Sequence, residues 1–580
     1  MDIIMKQMLQ FLKHNKKESI LAPLFKMLEA LFDLFVPLIT ADIINNGIIN
    51  KNTAYILNRC SLMILLGIIG LACSITAQYF AAKASVEACT EIRHALFDKI
   101  QLLGFSETDT TGTGTLITRM TSDINQLQNG LNMFLRLFLR SPFIVFGAMI
   151  MAFTINVKAA LIFVVTIPVL SAVVFGIMLK TIPLYKNVQY RLDKITGITH
   201  ENLTGVRVVR AFGREEDEME RFGAADLALA KSQLTVGRIS ALINPFTYVI
   251  INLAIIAIIN TSSIQVNTGI LAMGDVVALV NYMNQILLEL VKLANLIIQM
   301  TKATACSERI SSILSMQPQM KFGNQKTDTS DTENAVQFDH VSLTYAYAGE
   351  ESLSDITFTV KKGQTIGIIG GTGSGKTSLI SLLPRYYDAT GGTVKIFGHD
   401  IHEYEKNSLR SSVSTVMQKA QLFSGTIRSN LLWGNQNATD IELWNALDTA
   451  QGSEIVRGKP KGLDEPVEQG GRNFSGGQKQ RLSIARSLVG HPKILILDDS
   501  SSALDYATDA ALRKALSRLS SDMTIFIVSQ RANSICHADL ILVLDEGKLV
   551  GSGKHEALLR SCPVYKDIYD SQFQKVSESV

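Results

Sequence analysis

Apolar residues run in blocks of about twenty through the first 300 positions, then give way to shorter alternating stretches. A bilayer core takes roughly 20 mainly apolar residues per helix. Six segments meet that length, at 19–44, 60–82, 137–156, 159–181, 240–262 and 275–300. Short connections such as Ile155–Lys158 and Thr261–Gly269 join some of them, whereas two long polar stretches, 84–134 and 182–238, separate others. Both long stretches read as helices continuing into water. Lys83, Arg93, Lys99 and Arg119 mark the first and Lys186, Arg191, Lys194, Arg207, Arg210 and Arg214 the second, which places both in the cytoplasm by the positive-inside tendency. An even number of spans returns the chain to the cytoplasm after residue 300.

Charges inside the spans are few. Lys26, Glu29 and Asp33 lie in the first, with Glu29 and Asp33 four apart and so on one helical face. Two readings stand side by side: an acidic patch that meets a cationic substrate, or a Lys26–Glu29 pair near the inner interface. Arg136 and Arg140, where the third span enters the membrane, are expected to contact lipid headgroups. The segment Met1–Lys17, with Lys6, Lys13, Lys16 and Lys17, resembles a basic amphipathic stretch lying on the cytoplasmic membrane face. Turn residues break the helical pattern at Phe105–Thr115 and at Gly205 within Glu201–Phe212, marking two tips.

At 580 residues the chain exceeds a single core, and a mean hydropathy of +0.21 with 18 % charged residues agrees with long apolar tracts. A net charge of +3 is too small to indicate nucleic-acid binding. Cys60, Cys73, Cys89, Cys306, Cys536 and Cys562 show no metal-ligand spacing and are expected to be ordinary thiols.

The polar, turn-rich stretch 317–334 divides a membrane domain, 1–316, from a domain at 335–580 in which strands and helices alternate. There Gly370-Gly371-Thr372-Gly373-Ser374-Gly375-Lys376-Thr377 follows the apolar run Thr365–Ile369 and precedes a helical stretch beginning at Ser378. This is the phosphate-loop context: backbone N–H groups turn toward phosphate oxygens, Lys376 reaches the β and γ phosphates of ATP, and Thr377 holds Mg²⁺. The run Lys493–Asp499 reads as a buried strand ending in two carboxylates, with Asp498 placed to support the metal.

Phe474-Ser475-Gly476-Gly477-Gln478, followed by Lys479–Leu488, resembles the signature of the ATP-binding cassette (ABC) superfamily, and Ser502-Ala503-Leu504-Asp505 resembles its D-loop. Gln418 matches the Q-loop, which approaches the metal, and Tyr345 the aromatic residue that stacks on adenine. The resemblance covers nearly the whole chain and implies an all-α six-span exporter domain fused to an α/β P-loop nucleotide-binding domain, with the two tips as coupling helices. It further implies a dimer in which each ATP lies between the phosphate loop of one cassette and the signature of the other. Ser475 and Gly477 would then donate to the γ-phosphate of a nucleotide bound mainly by the partner.

Two positions depart from the family pattern. Asp499 stands where the general-base Glu is expected, and Gln530 where the switch histidine is expected. Asp is one methylene shorter than Glu, and Gln carries no proton or charge near neutral pH. Together they imply a site that binds ATP and hydrolyses it slowly, hence a heterodimer with a second half-transporter that supplies Glu and His. Expected substrates are hydrophobic or amphiphilic drug-like compounds, moved across a bacterial plasma membrane; a lipid flippase and a non-catalytic regulatory subunit are the alternatives.

Overall fold

A computed structural model describes residues 15–328, 333–346, 348–519 and 523–573. Lys6 and Lys13 of the basic amino-terminal stretch lie outside the described residues. The chain divides into two compact units. The first comprises 1–101 and 113–316, the second 102–112 and 317–580.

The first unit is helical. Among the described residues, five helices are long and apolar enough to cross a membrane: Thr53–Leu102, Thr113–Ile155, Val157–Thr204, Glu215–Asn267 and Met273–Leu314. Six spans were expected, and the sixth is not among these. The 19–44 segment does form a helix, Lys16–Asp42, but Lys26, Glu29 and Asp33 interrupt its apolar run. The polar stretches 84–134 and 182–238 are largely helical and extend the neighbouring spans, so Thr53–Leu102 reaches 50 residues and Val157–Thr204 reaches 48. Small side chains recur along the buried side of the former, at Ala77, Ala81, Ala84, Ser85 and Ala88, allowing neighbouring backbones to approach. Ala30, Leu34, Ile144, Phe163, Tyr282 and Ile286 form part of the unit's core, and the Tyr282 hydroxyl donates to the Leu34 carbonyl at 2.5 Å.

Charge is also buried here. Lys26 Nζ lies 2.5 Å from Glu29 Oε2 and donates to Ser74 Oγ at 3.2 Å. Arg140 is 8 % exposed and bonds Glu289 at 2.5 Å and Asp33 at 3.0 Å, joining three helices. The headgroup role expected of Arg140 is therefore corrected. Its position along the sequence resembles an interface, but its partners lie on helices more than 100 residues away in each direction.

The second unit is built on a six-stranded sheet ordered Lys548–Gly553, Leu540–Asp545, Thr365–Gly370, Thr524–Val528, Ile494–Asp498, Val413–Val416. All neighbours are parallel except the first pair. Helices cover such sheets on both faces, so central strands are continuous apolar runs, and Ile494–Asp498 is buried at every position. A second, antiparallel sheet is ordered Leu353–Lys361, Asn334–Leu343, Gly391–Ile396, His399–Asp400.

The first tip belongs to this unit. Its helix, Phe105–Thr111, places the Phe105 ring 4.5 Å from that of Tyr386, and Asp109 accepts a hydrogen bond from the Tyr387 hydroxyl. Glu107 accepts from the Gln319 N–H at 2.8 Å. The stretch expected as a linker is itself tied down within the unit, with Gln325 N–H donating to the Glu403 carbonyl at 3.0 Å and Thr327 N–H to Ser408 Oγ at 2.8 Å. The second tip forms the helix Val206–Ala211 in the other unit, breaking at Gly205 as the sequence indicates; Phe212 beyond it is 77 % exposed.

Candidate nucleotide site

The central strand Thr365–Gly370 ends at the phosphate loop, where ligands gather in open α/β sheets. Gly373 and Gly375 hold φ values of +82° and +94°, so a side chain at either position would be strained. The loop leads directly into the helix Lys376–Leu382. Lys376 folds back over the loop, its Nζ donating to the carbonyls of Gly370 at 3.0 Å and Gly371 at 2.6 Å. Burial lowers its pKa against the pull of Asp498 and Asp499. The neighbouring strand Ile494–Asp498 delivers Asp498 to the same end of the sheet, within 3.3 Å of the Thr377 hydroxyl. Burial raises the Asp498 pKa above the ordinary carboxylate value; Thr377 opposes the shift and Asp499 adds to it.

Hard oxygen ligands suit Mg²⁺, and the Thr377 hydroxyl beside the Asp498 carboxylate is such a pair. A bound Mg²⁺ would neutralise charge on the nucleotide phosphates. Thr377 and Asp498, with Gln418 on the same cleft, are the side chains that would hold it.

That cleft has a volume of about 960 Å³ and brings together Thr372, Lys376, Ser378, Gln418, Asp499 and Gln530. Asp499 follows the buried strand in a left-handed conformation, φ +43°, which Asp tolerates better than most residues. Its N–H donates to the Val528 carbonyl at 3.0 Å, and its Oδ2 accepts from Gln418 Nε2 at 3.3 Å. The carbonyl of Gln530 accepts from Gln572 at 2.8 Å, tying this position to the carboxy-terminal helix Pro563–Phe573.

Glu350, Glu351 and Glu546 also line the cleft and were not legible as site residues, because they sit in loops without a local motif. Tyr345 stands apart from the lining. Its hydroxyl donates to Ser378 Oγ at 3.0 Å, and its ring meets that of Tyr387 edge-on at 4.9 Å.

The signature is a separate surface, and none of its residues lines this cleft. Ser475 caps the helix Gly476–Val489 in a capping box with Gln478: Ser475 N–H donates to Gln478 Oε1 at 3.0 Å, and Gln478 N–H returns a bond at 3.4 Å. Ser475 and Gly476 are exposed, while Phe474 before them is buried. A Cβ on Gly477 would stand 2.9 Å from the Ala503 carbonyl, so glycine lets the signature lie against the D-loop. Asp505 caps the next helix, accepting from Thr508 N–H at 2.9 Å. Cysteine takes no part; all six are free thiols. Among the described residues no group of three or more His, Cys, Asp or Glu is arranged to hold a metal ion.

Two protein families match the chain, the ABC transporter transmembrane region over residues 19–290 and ABC transporter over 353–502. An uncharacterized ABC transporter ATP-binding protein of Mycobacterium tuberculosis is 35 % identical, covering 95 % of both chains. The putative multidrug export ATP-binding/permease protein YgaD of Bacillus subtilis is 31 % identical over 98 % of this chain and 99 % of that protein. A solved bacterial Atm1-family ABC exporter with ATP bound shares the fold, with a TM-score of 0.80, 22 % identity, and coverage of 96 % of this chain and 98 % of that one. With the phosphate loop, Asp498 and the signature in place on a cassette that continues from a helical membrane domain, the chain belongs to the ABC transporters.

Proposed function

We propose that this chain is one half of a heterodimeric, ATP-driven exporter of amphiphilic, drug-like compounds, and that its own phosphate-loop site holds ATP far longer than it hydrolyses it. The observation that carries this reading is Asp499. Its carboxylate ends one methylene, about 1.5 Å, short of a glutamate's reach, and it already accepts from Gln418. A displacement of ~1 Å from productive geometry costs roughly 10²-fold in rate. Gln530, in the same cleft, offers hydrogen bonds but no proton relay. The Ser475–Gln478 edge, exposed at Ser475 and Gly476, is the complementary half, intact and available to a nucleotide bound by a partner. Two copies of this chain would join two impaired sites, whereas a partner with Glu and His would form one competent site across this signature.

In this reading ATP draws the two cassettes together and turns the spans outward, in a plasma membrane with the amino terminus and cassette in the cytoplasm. Lys16–Asp42 serves as a sixth span: its 27 residues extend about 40 Å, and its charges are neutralised within the unit. The likeness to YgaD supports drug-like substrates.

The test is ATP turnover by the purified chain alone, and with the half-transporter encoded beside it. Turnover is expected only from the pair. Strong hydrolysis by the lone chain rejects the heterodimer.

A further inference from the structure

Tyr345 does not line the nucleotide cleft, yet two residues that do are bonded to it. Its hydroxyl donates to Ser378 Oγ at 3.0 Å, and the Ala348 N–H donates to its carbonyl at 3.0 Å. Its half-buried ring meets the Tyr387 ring at 4.9 Å with the planes 88° apart. Aromatic pairs favour this edge-to-face arrangement, which fixes ring orientation as well as distance.

Tyr387 is itself held on a braced turn. Arg385, buried and in the left-handed region at φ +52°, bonds Asp388 at 2.6 Å and the Lys321 carbonyl at 3.0 Å, so Tyr386 and Tyr387 lie between two paired charges. The Tyr387 hydroxyl donates to Asp109 on the first tip helix, Phe105–Thr111, and the Phe105 ring lies 6.1 Å from the Tyr387 ring. Burial, and after it Asp109, raise the pKa of this hydroxyl, which keeps its proton in the bond. One side chain thus touches Tyr345 with its ring and the first tip with its hydroxyl. Tyr387 does not line the cleft in which Lys376 and Thr377 meet phosphate.

We infer that Tyr387 is a positioning residue for the adenine base: its ring sets the Tyr345 ring, its hydroxyl ties that setting to the first tip, and the grip on the base answers to the tip while the grip on the phosphates does not. This rests on the reading of Tyr345 as the aromatic residue that stacks on adenine, and deepens it. Residues 102–112 run at both ends into the helical unit. Displacing the tip therefore loosens the base, and a seated base resists that displacement by the same free energy.

The test compares binding of Mg²⁺-ATP with that of Mg²⁺-tripolyphosphate, which has the phosphates and no base, by calorimetry on the full chain in lipid nanodiscs. Tyr345→Ala is the reference and should weaken ATP by about tenfold with tripolyphosphate unchanged. Tyr387→Ala should weaken ATP by about threefold to tenfold, again sparing tripolyphosphate. Tyr387→Phe keeps the ring and should lose no more than about threefold. Asp109→Ala should weaken ATP by about threefold in the parent and add nothing in Tyr387→Phe, where the same bond is already gone. Equal loss of both ligands in Tyr387→Ala marks a structural role and overturns the inference. So does unchanged ATP affinity in Tyr387→Ala or Asp109→Ala, or additive loss when Asp109→Ala is combined with Tyr387→Phe. If Tyr345→Ala spares ATP, the adenine reading of Tyr345 falls and this inference with it; failure of the Tyr387 and Asp109 variants alone leaves that reading standing. No turnover is read, so every outcome is distinct from the heterodimer test.

Discussion

The cassette presents two regions to nucleotide, and they differ in how their chemistry is held. Around Lys376 the residues form a recessed cleft whose groups already satisfy one another: the lysine on loop carbonyls, Thr377 near Asp498, Gln418 on Asp499. At Ser475 and Gly476 the residues are exposed, organised by a helix cap and by the packing of Gly477 against the D-loop. The first can retain a ligand alone. The second is useful only to something presented from outside. The proposed division of labour follows from that difference, because the two substitutions from the family pattern, Asp499 and Gln530, fall in the first region and leave the second intact.

The sharpest way to break the contrast is Ser475→Arg, which puts a bulky cation on the exposed edge. ATP turnover of the complex with the partner half is expected to fall by about 10²-fold or more, while ATP binding by the lone chain stays near that of the parent. Lys376→Ala attacks the other region and should reverse the pattern. Nucleotide binding by the lone chain, measured with a fluorescent ATP analogue, is expected to weaken by roughly 10- to 100-fold. Asp499→Glu combined with Gln530→His should raise turnover at the cleft by about tenfold, read as single-turnover hydrolysis in the complex with the partner's site inactivated. No increase would mean that carboxylate reach is not what limits hydrolysis there.

The smallest effect concerns pH. A metal ligand must be deprotonated, and burial raises the Asp498 pKa above its ordinary 3.8. The Mg²⁺ concentration needed to support ATP binding should therefore rise on acidification, beginning at a higher pH than an exposed Asp would allow, and Asp498→Asn should abolish that pH effect. Titration of ATP affinity against Mg²⁺ at several pH values reads it directly.

The parts legible from sequence are those whose chemistry is local. The phosphate loop, the Asp498 strand and the signature each occupy a few consecutive residues, because backbone turns and strand ends create them. The Arg140 cluster was not legible, since Asp33, Arg140 and Glu289 are spread over 256 positions and meet only through helix packing. Hydropathy located the helix Lys16–Asp42 but not the reason its charges are tolerated. Tyr345 matches a motif by position, yet its hydroxyl is engaged with Ser378, a contact no spacing rule supplies. The first tip was read correctly as a break in helical pattern. Its attachment to Tyr386 and Tyr387, some 280 residues away, was invisible.

That attachment bears on how the protein can be handled in the laboratory. An ATP-binding domain excised at residue 317 would be cut from Phe105 and Asp109 and would carry the bare rings of Tyr386 and Tyr387 into solvent. Such a fragment gains a sticky aromatic face that the intact chain never shows. Supplying residues 102–112 on a short tether is the natural remedy when soluble cassette is wanted for crystallography or calorimetry.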